Sequence, residues 1–154
     1  MKKVLFALFS VGFVLCSFTF LNTNNDIVTN KLEVKADEPG IAFQKISYKE
    51  ALAQAKKEGK LIFIDAYASW CGPCKLMART TFKDAKVSEY FNKKFINLSV
   101  DMEKDPDGAY LTKTFQVMAY PTLLFVDGNG KLVYQTLGFQ NADAFMKNVQ
   151  TNVK

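Results

Sequence analysis

Two apolar patterns alternate along the chain beyond residue 40. One is the continuous run: Leu61-Ile62-Phe63-Ile64, Phe95 to Val100, and Thr122 to Val126. Short apolar runs between polar stretches predict strands buried on both faces. The other is the helical stripe. Ser47-x-x-Glu50 is a capping box ahead of Ala51, Leu52 and Ala55, and Gly59 closes that helix. Pro73 suits the first turn of a second helix. Asp84 to Lys94 carries Val87, Tyr90 and Phe91 at helical spacing. Pro106 to Phe115 reads as a helix, and Asn141 to Val149 closes the chain with Phe145 and Val149 inward. Asp127-Gly128-Asn129-Gly130 signals a hairpin that returns along Lys131 to Leu137. The predicted order is α-β-α-α-β-α-β-β-α. It implies an α/β fold: a central mixed sheet with helices on both faces and one antiparallel edge hairpin.

The N-terminus has a different pattern. Lys2 and Lys3 precede an apolar run from Val4 to Leu21, as in a secretory signal, and the run is also long enough for one membrane span. Residues 1–21 are read as a removed signal, with a retained anchor as the alternative. Val34-Lys35-Ala36 fits the small-residue rule for cleavage but lies far downstream. Cys16 follows Leu15, whereas a lipid-modified cysteine needs a small residue before it, so Cys16 reads as an ordinary apolar residue of this segment. Residues 22–40 are polar and aperiodic, a linker, and 41–154 form the folded domain.

Composition narrows the chemistry. Hydrophobic residues make up 49% and charged residues 23%, which are globular proportions. The net charge of +5 is spread among interspersed lysines and acids, a solubility-level charge and no nucleic-acid footprint. Histidine is absent, which excludes Ser-His-Asp and Cys-His catalysis and His-ligated zinc. Three cysteines are too few for a disulfide scaffold.

Cys71 and Cys74 stand between a predicted strand and a predicted helix. Two intervening residues at a helix start put both sulfurs on one side of the first turn, with Cα atoms ~5–6 Å apart. At the helix N-terminus the unpaired N–H groups and the dipole favour a Cys71 thiolate, the attacking species, while Cys74, one turn inside, is placed to resolve a mixed disulfide and is the less accessible of the two. Gly72 allows close approach of a substrate chain, and Pro73 stiffens the turn. A structural disulfide is a poorer reading, because so short a loop yields little entropic stabilisation. Half of a metal site shared between protomers is a further alternative, though the chain offers no partner ligands. A redox pair is the preferred reading.

Trp70-Cys71-Gly72-Pro73-Cys74-Lys75 resembles the active-site motif of the thioredoxin family, and the resemblance runs from Leu61 to about Gly138. It implies a thioredoxin-like fold. Asp65 matches the family's buried acid, which helps move the proton of the resolving thiol; a carboxyl beside an apolar strand has a raised pKa. Tyr120-Pro121-Thr122 matches the loop of the cis-proline that faces the cysteine pair, leaving the Tyr120 backbone free to pair with an extended substrate. Trp70 covers the pair, and Gly138 matches a glycine near the same surface. Thr81-Phe82-Lys83-Asp84, with Val87, resembles the soluble C-terminal domain of the DsbD family of transmembrane disulfide reductases. The departures are Tyr67 in place of a tryptophan, Asn97 in place of a lysine near the buried acid, and Tyr120 in place of an aliphatic residue.

These resemblances imply an exported thiol–disulfide oxidoreductase of the bacterial envelope or periplasm, with no metal or organic cofactor. Gly-Pro between the cysteines resembles the reducing branch. The implied partners are proteins with disulfides and a transmembrane disulfide reductase as electron donor, with membrane attachment only if the N-terminal segment is retained. Oxidase or isomerase activity, or a non-catalytic peptide-binding module, are the alternatives.

Overall fold

The structure is a computed structural model and describes residues 40–154. The signal or anchor expected over 1–21, Cys16, and the linker up to residue 39 lie outside the described residues.

A four-stranded sheet has the order β2-β1-β3-β4. It comprises β1 (Leu61–Tyr67), β2 (Phe95–Asp101), β3 (Thr122–Val126) and β4 (Leu132–Leu137). β1 pairs parallel with β2 and antiparallel with β3, and β3 pairs antiparallel with β4. The helices are α1 (Tyr48–Glu58), α2 (Gly72–Arg79), α3 (Ala85–Lys94), α4 (Gly108–Phe115) and α5 (Ala142–Asn152), with a 3-10 turn at Thr81–Lys83. The predicted order and mixed sheet are observed.

Alternation along the strands divides the core in two. Ile62, Ile64 and Ala66 of β1 face Tyr48, Ala51 and Ala55 of α1 and Leu111 and Phe115 of α4. Phe63 points the other way, into a layer with Met77 of α2, Phe82, Val87 and Phe91 of α3, Phe125, and Phe145 and Val149 of α5. The ring of Phe63 lies 4.8 Å from Phe91 and 5.2 Å from Phe125, and Phe91 lies 4.9 Å from Phe145.

Local signals act as read. Ser47 and Glu50 form the reciprocal capping box, and Gly59 ends α1 in the left-handed region at φ 64°. Asp84 caps α3 by accepting from the N–H groups of Lys86 and Val87, and Asn141 caps α5 through Ala144. At the hairpin, Gly130 N–H donates to the Asp127 carbonyl, and the Asp127 carboxylate accepts from the N–H groups of Asn129 and Lys131. Gly130 alone of that loop has a positive φ, 82°.

Three boundaries differ from the sequence reading by two residues or more. β1 continues past Ile64 to Tyr67, because Asp65 and Ala66 are paired on both sides, to Ser99 and Val100 of β2 and to Leu123 and Thr122 of β3. α4 begins at Gly108, not Pro106; the preceding residues are held in a turn in which the Asp105 carboxylate accepts from Asp107 N–H. α5 continues to Asn152, whose amide donates to the Asn148 carbonyl.

Candidate active site

The carboxyl end of β1 leads through Ala68, Ser69 and Trp70 into α2. Cys71 is the N-cap of α2, and Pro73 sits in its first turn. Cys71 and Cys74 are joined in a disulfide with Cα atoms 5.4 Å apart. The N–H of Cys74 donates to Cys71 Sγ at 3.2 Å. The sulfur of Cys71 therefore occupies the place of a capping oxygen, where an unpaired backbone donor and the helix dipole favour negative charge on it.

The expected difference in accessibility between the cysteines is not observed. Cys71 is not the more accessible one: the two are 3% and 5% exposed. Ala68, Tyr67 and Tyr120 pack against the pair. Trp70 stands beside it, 67% exposed, its ring 6.0 Å from that of Tyr120, and its indole N–H donates to the Glu103 carboxylate at 2.9 Å. The Tyr120–Pro121 peptide is cis, as the resemblance implied. Gly138 N–H donates to the Pro121 carbonyl at 2.8 Å, which ties the end of β4 to that loop; Gly138 has φ 91°, a conformation open to glycine.

Asp65 lies within β1, paired on both sides. It is 5% exposed, and with Tyr67, Cys74, Lys75, Ala78 and Ser99 it lines an open cleft of about 340 Å³ on the Cys74 side of the pair. The Ser99 hydroxyl donates to Asp65 Oδ2 at 3.0 Å, whereas Oδ1 is buried with no hydrogen-bond partner among the described residues. Desolvation pushes the Asp65 pKa up to about 7, and the Ser99 bond opposes that rise. Asn97, read as standing in for a lysine near this acid, is turned elsewhere. Its amide donates to the Phe91 carbonyl and to Asn92, because it lies opposite Phe63 in the β1–β2 register and packs toward α3.

The structure thus brings Cys71, Cys74, Asp65, Trp70, Gly72, Pro73, Tyr120 and Pro121 to one end of the sheet. Sequence reasoning missed Ser99 and Glu103. Ser99 carried a faint signal, a polar residue inside an otherwise apolar strand run; Glu103 carried none.

The burial of Asp65 has a measurable consequence. An acid whose folded pKa lies above its unfolded value holds its proton in the folded state alone between the two, so stability falls as pH rises from about 4 to about 7. We expect Asp65→Asn and wild type, both oxidised, to unfold at similar temperatures near pH 4, with the variant more stable by on the order of a few kcal/mol at pH 8. Parallel melting curves across that range would show that the carboxyl is not desolvated.

Comparison with known proteins places this geometry. The family model Thioredox_DsbH, described as a protein of unknown function, DUF255, matches residues 30–150. The thiol:disulfide interchange protein DsbD of Tatumella citrea is 32% identical over 120 residues, which cover 75% of this chain and 21% of that protein. DsbD of Haemophilus ducreyi is 29% identical over 151 residues, 95% of this chain and 26% of that one. The chain spans between a fifth and about a quarter of the length of these curated relatives. A Bacteroides thetaiotaomicron solution structure, named as a candidate disulphide-isomerase, is 44% identical with a TM-score of 0.68, covering 77% of this chain and 98% of that chain. The oxidised C-terminal domain of Neisseria meningitidis DsbD is 28% identical with a TM-score of 0.58, covering 73% and 98%. The chain belongs to the Thioredox_DsbH family, and its described residues form a thioredoxin-like, DsbD-related domain with a Cys-x-x-Cys disulfide.

Proposed function

We propose that the protein is exported and reduces disulfides of other proteins in the bacterial envelope or periplasm. The single observation behind the reading is the Cys71–Cys74 pair at the start of α2, with Cys74 N–H aimed at Cys71 Sγ and a desolvated Asp65 in the cleft on the Cys74 side. In the cycle, the Cys71 thiolate attacks one sulfur of a substrate disulfide. A Cys71–substrate bond forms, the substrate S–S bond breaks, and the departing thiolate takes a proton from water. Cys74 then gives its proton to the Asp65 carboxylate, and its thiolate attacks Cys71 Sγ. The second substrate sulfur leaves as a thiolate and is protonated. Two electrons have passed to substrate, and Cys71–Cys74 is a disulfide. A carboxyl that titrates near neutrality suits this exchange, since it can both take and return the proton.

Trp70, Tyr120, Gly72, Pro73 and Pro121 form the substrate surface in this reading, with an extended segment pairing to the Tyr120 backbone. Residues 1–21 direct export, 22–40 tether, and 41–154 carry the chemistry. The electron donor is a transmembrane disulfide reductase, since an oxidising compartment does not regenerate the dithiol. Gly72-Pro73 between the cysteines, as in the reducing branch, supports this direction. The expected reduction potential of the Cys71–Cys74 couple, measured against a glutathione series, lies near that of thioredoxin, ~−270 mV; a value near ~−120 mV would reverse the assignment to an oxidase.

The 44% identical neighbour favours isomerisation as a second reading. That activity needs attack by Cys71 without completion by Cys74. A Cys74→Ala variant that refolds a scrambled disulfide protein as well as wild type would favour it.

A further inference from the structure

Cys74 and Asp65 leave one question that the cysteine motif does not address: which carboxyl oxygen exchanges the proton. In the parallel β1–β2 register, Asp65 lies beside Ser99. The Ser99 hydroxyl donates to Oδ2 at 3.0 Å, and Oδ1, which is buried, has no partner among the described residues. We propose that Ser99 is a positioning residue for the proton step of Cys74, holding Oδ2 as an acceptor so that Oδ1 is the atom that takes and returns the proton. This role rests on the reading of Asp65 as the base for Cys74.

The donors and acceptors of a carboxyl distinguish its two oxygens. An ionised carboxylate accepts only, and a protonated one gains a single O–H donor. A proton placed on Oδ2 would oppose the Ser99 O–H and force that hydroxyl to turn, while Oδ1 would stay buried and unpaired. A proton on Oδ1 leaves the Ser99 bond in place and gives the unpaired atom a donor. Protonation at Oδ1 therefore preserves the existing bond, and protonation at Oδ2 breaks it. The same bond favours the charged form and so offsets part of the desolvation that raises the Asp65 pKa.

The surroundings leave this task to Ser99. Tyr67 on the same strand and Cys74 and Lys75 of α2 line the cleft with Asp65. From β3 the register neighbour is the apolar Leu123. From β2, Asn97 packs toward α3, and Asp101 lies opposite Tyr67. Ser99 is the side chain with a hydrogen bond to the carboxyl among the described residues. It is exposed on the edge strand, so removing its hydroxyl leaves the core untouched.

The test uses the full chain with Ser99→Ala, Ser99→Val, Ser99→Thr and Asp65→Asn. Two quantities are followed against pH: the rate at which Cys74 releases a substrate thiol from Cys71, and the carbon-13 shift of the Asp65 carboxyl in the oxidised protein. With Ser99→Ala and Ser99→Val, both midpoints are expected to move together to higher pH. Below the midpoint the release rate falls roughly three- to tenfold, and above both midpoints it matches wild type. Ser99→Thr, which keeps a hydroxyl on a residue suited to strands, restores the wild-type profile. A loss uniform across pH, or midpoints unmoved in the Ala and Val variants while Asp65→Asn abolishes the pH dependence, would overturn the role of Ser99. If Asp65→Asn itself leaves the release profile of wild type intact, the fault lies in the reading of Asp65 beneath it.

Discussion

Cys71→Ser is expected to lose essentially all reduction of a disulfide substrate such as insulin, a loss of several orders of magnitude, with its fold unchanged by circular dichroism. A hydroxyl at the α2 N-cap keeps the capping geometry, since serine is a preferred N-cap residue, yet it cannot form the mixed disulfide. The companion variant behaves differently. Cys74→Ala retains the attacking sulfur and loses the resolving one, so it is expected to accumulate covalent adducts that appear on non-reducing gels and vanish with dithiothreitol. Reduction by Cys71→Ser at the wild-type rate would remove the catalytic assignment altogether. Adducts trapped by Cys71→Ser but not by Cys74→Ala would reverse the order of attack. The geometry favours Cys71 as the first to attack, because the N–H of Cys74 is directed at the sulfur of Cys71 and the acid lies with Cys74 in the cleft.

The second large effect concerns stability. Phe63→Ala is expected to cost about 3–5 kcal/mol. Phe63 is fully buried at the centre of the phenylalanine layer, with ring contacts to Phe43, Phe82, Phe91, Phe125 and Phe145. Truncation removes its transfer free energy, opens a cavity and deletes several edge-on and stacked ring contacts. For a domain of ordinary stability, ~5–15 kcal/mol, that is a large share of the total. Urea unfolding of the oxidised protein measures it, with Trp70→Ala as the comparison: that ring is mostly exposed and its loss is expected to cost little. A change below about 1 kcal/mol for Phe63→Ala would mean that the layer relaxes around the gap far more than close packing allows.

The element order was legible in the sequence because each element announces itself locally. Ser47 with Glu50, Gly59, Asp84 and Asn141 are capping signals, and the apolar runs of β1, β2 and β3 are short enough to separate strand from helix. The cysteine pair was legible for the same reason, since its chemistry depends on two residues and a helix start. The misjudged features depend on neighbours distant in the chain. β1 outlasts its apolar run because pairing on both sides holds a carboxyl in mid-strand. Cys71 is buried because Tyr120, far along the chain, folds back over the pair. The partners of Asp65 and Trp70, Ser99 and Glu103, follow from the offset between two parallel strands and from the course of the loop after β2, neither of which leaves a mark on either segment.

Met77 gives the placement of α2 a dynamic consequence. This residue, one turn beyond Cys74, is fully buried in the same layer as Phe63 and Phe145. The short helix that carries the disulfide is therefore not an appendage hinged on the sheet. Its inner face is anchored in the core through Met77, so the opening of its inner turns is expected to be coupled to that layer. β4, with an exposed or half-exposed side chain at every position, belongs to the weaker end of the molecule and can open alone. Redox turnover at Cys71 and Cys74 thus takes place on a helix anchored in the core through Met77, while β4 is expected to be the first strand to fray.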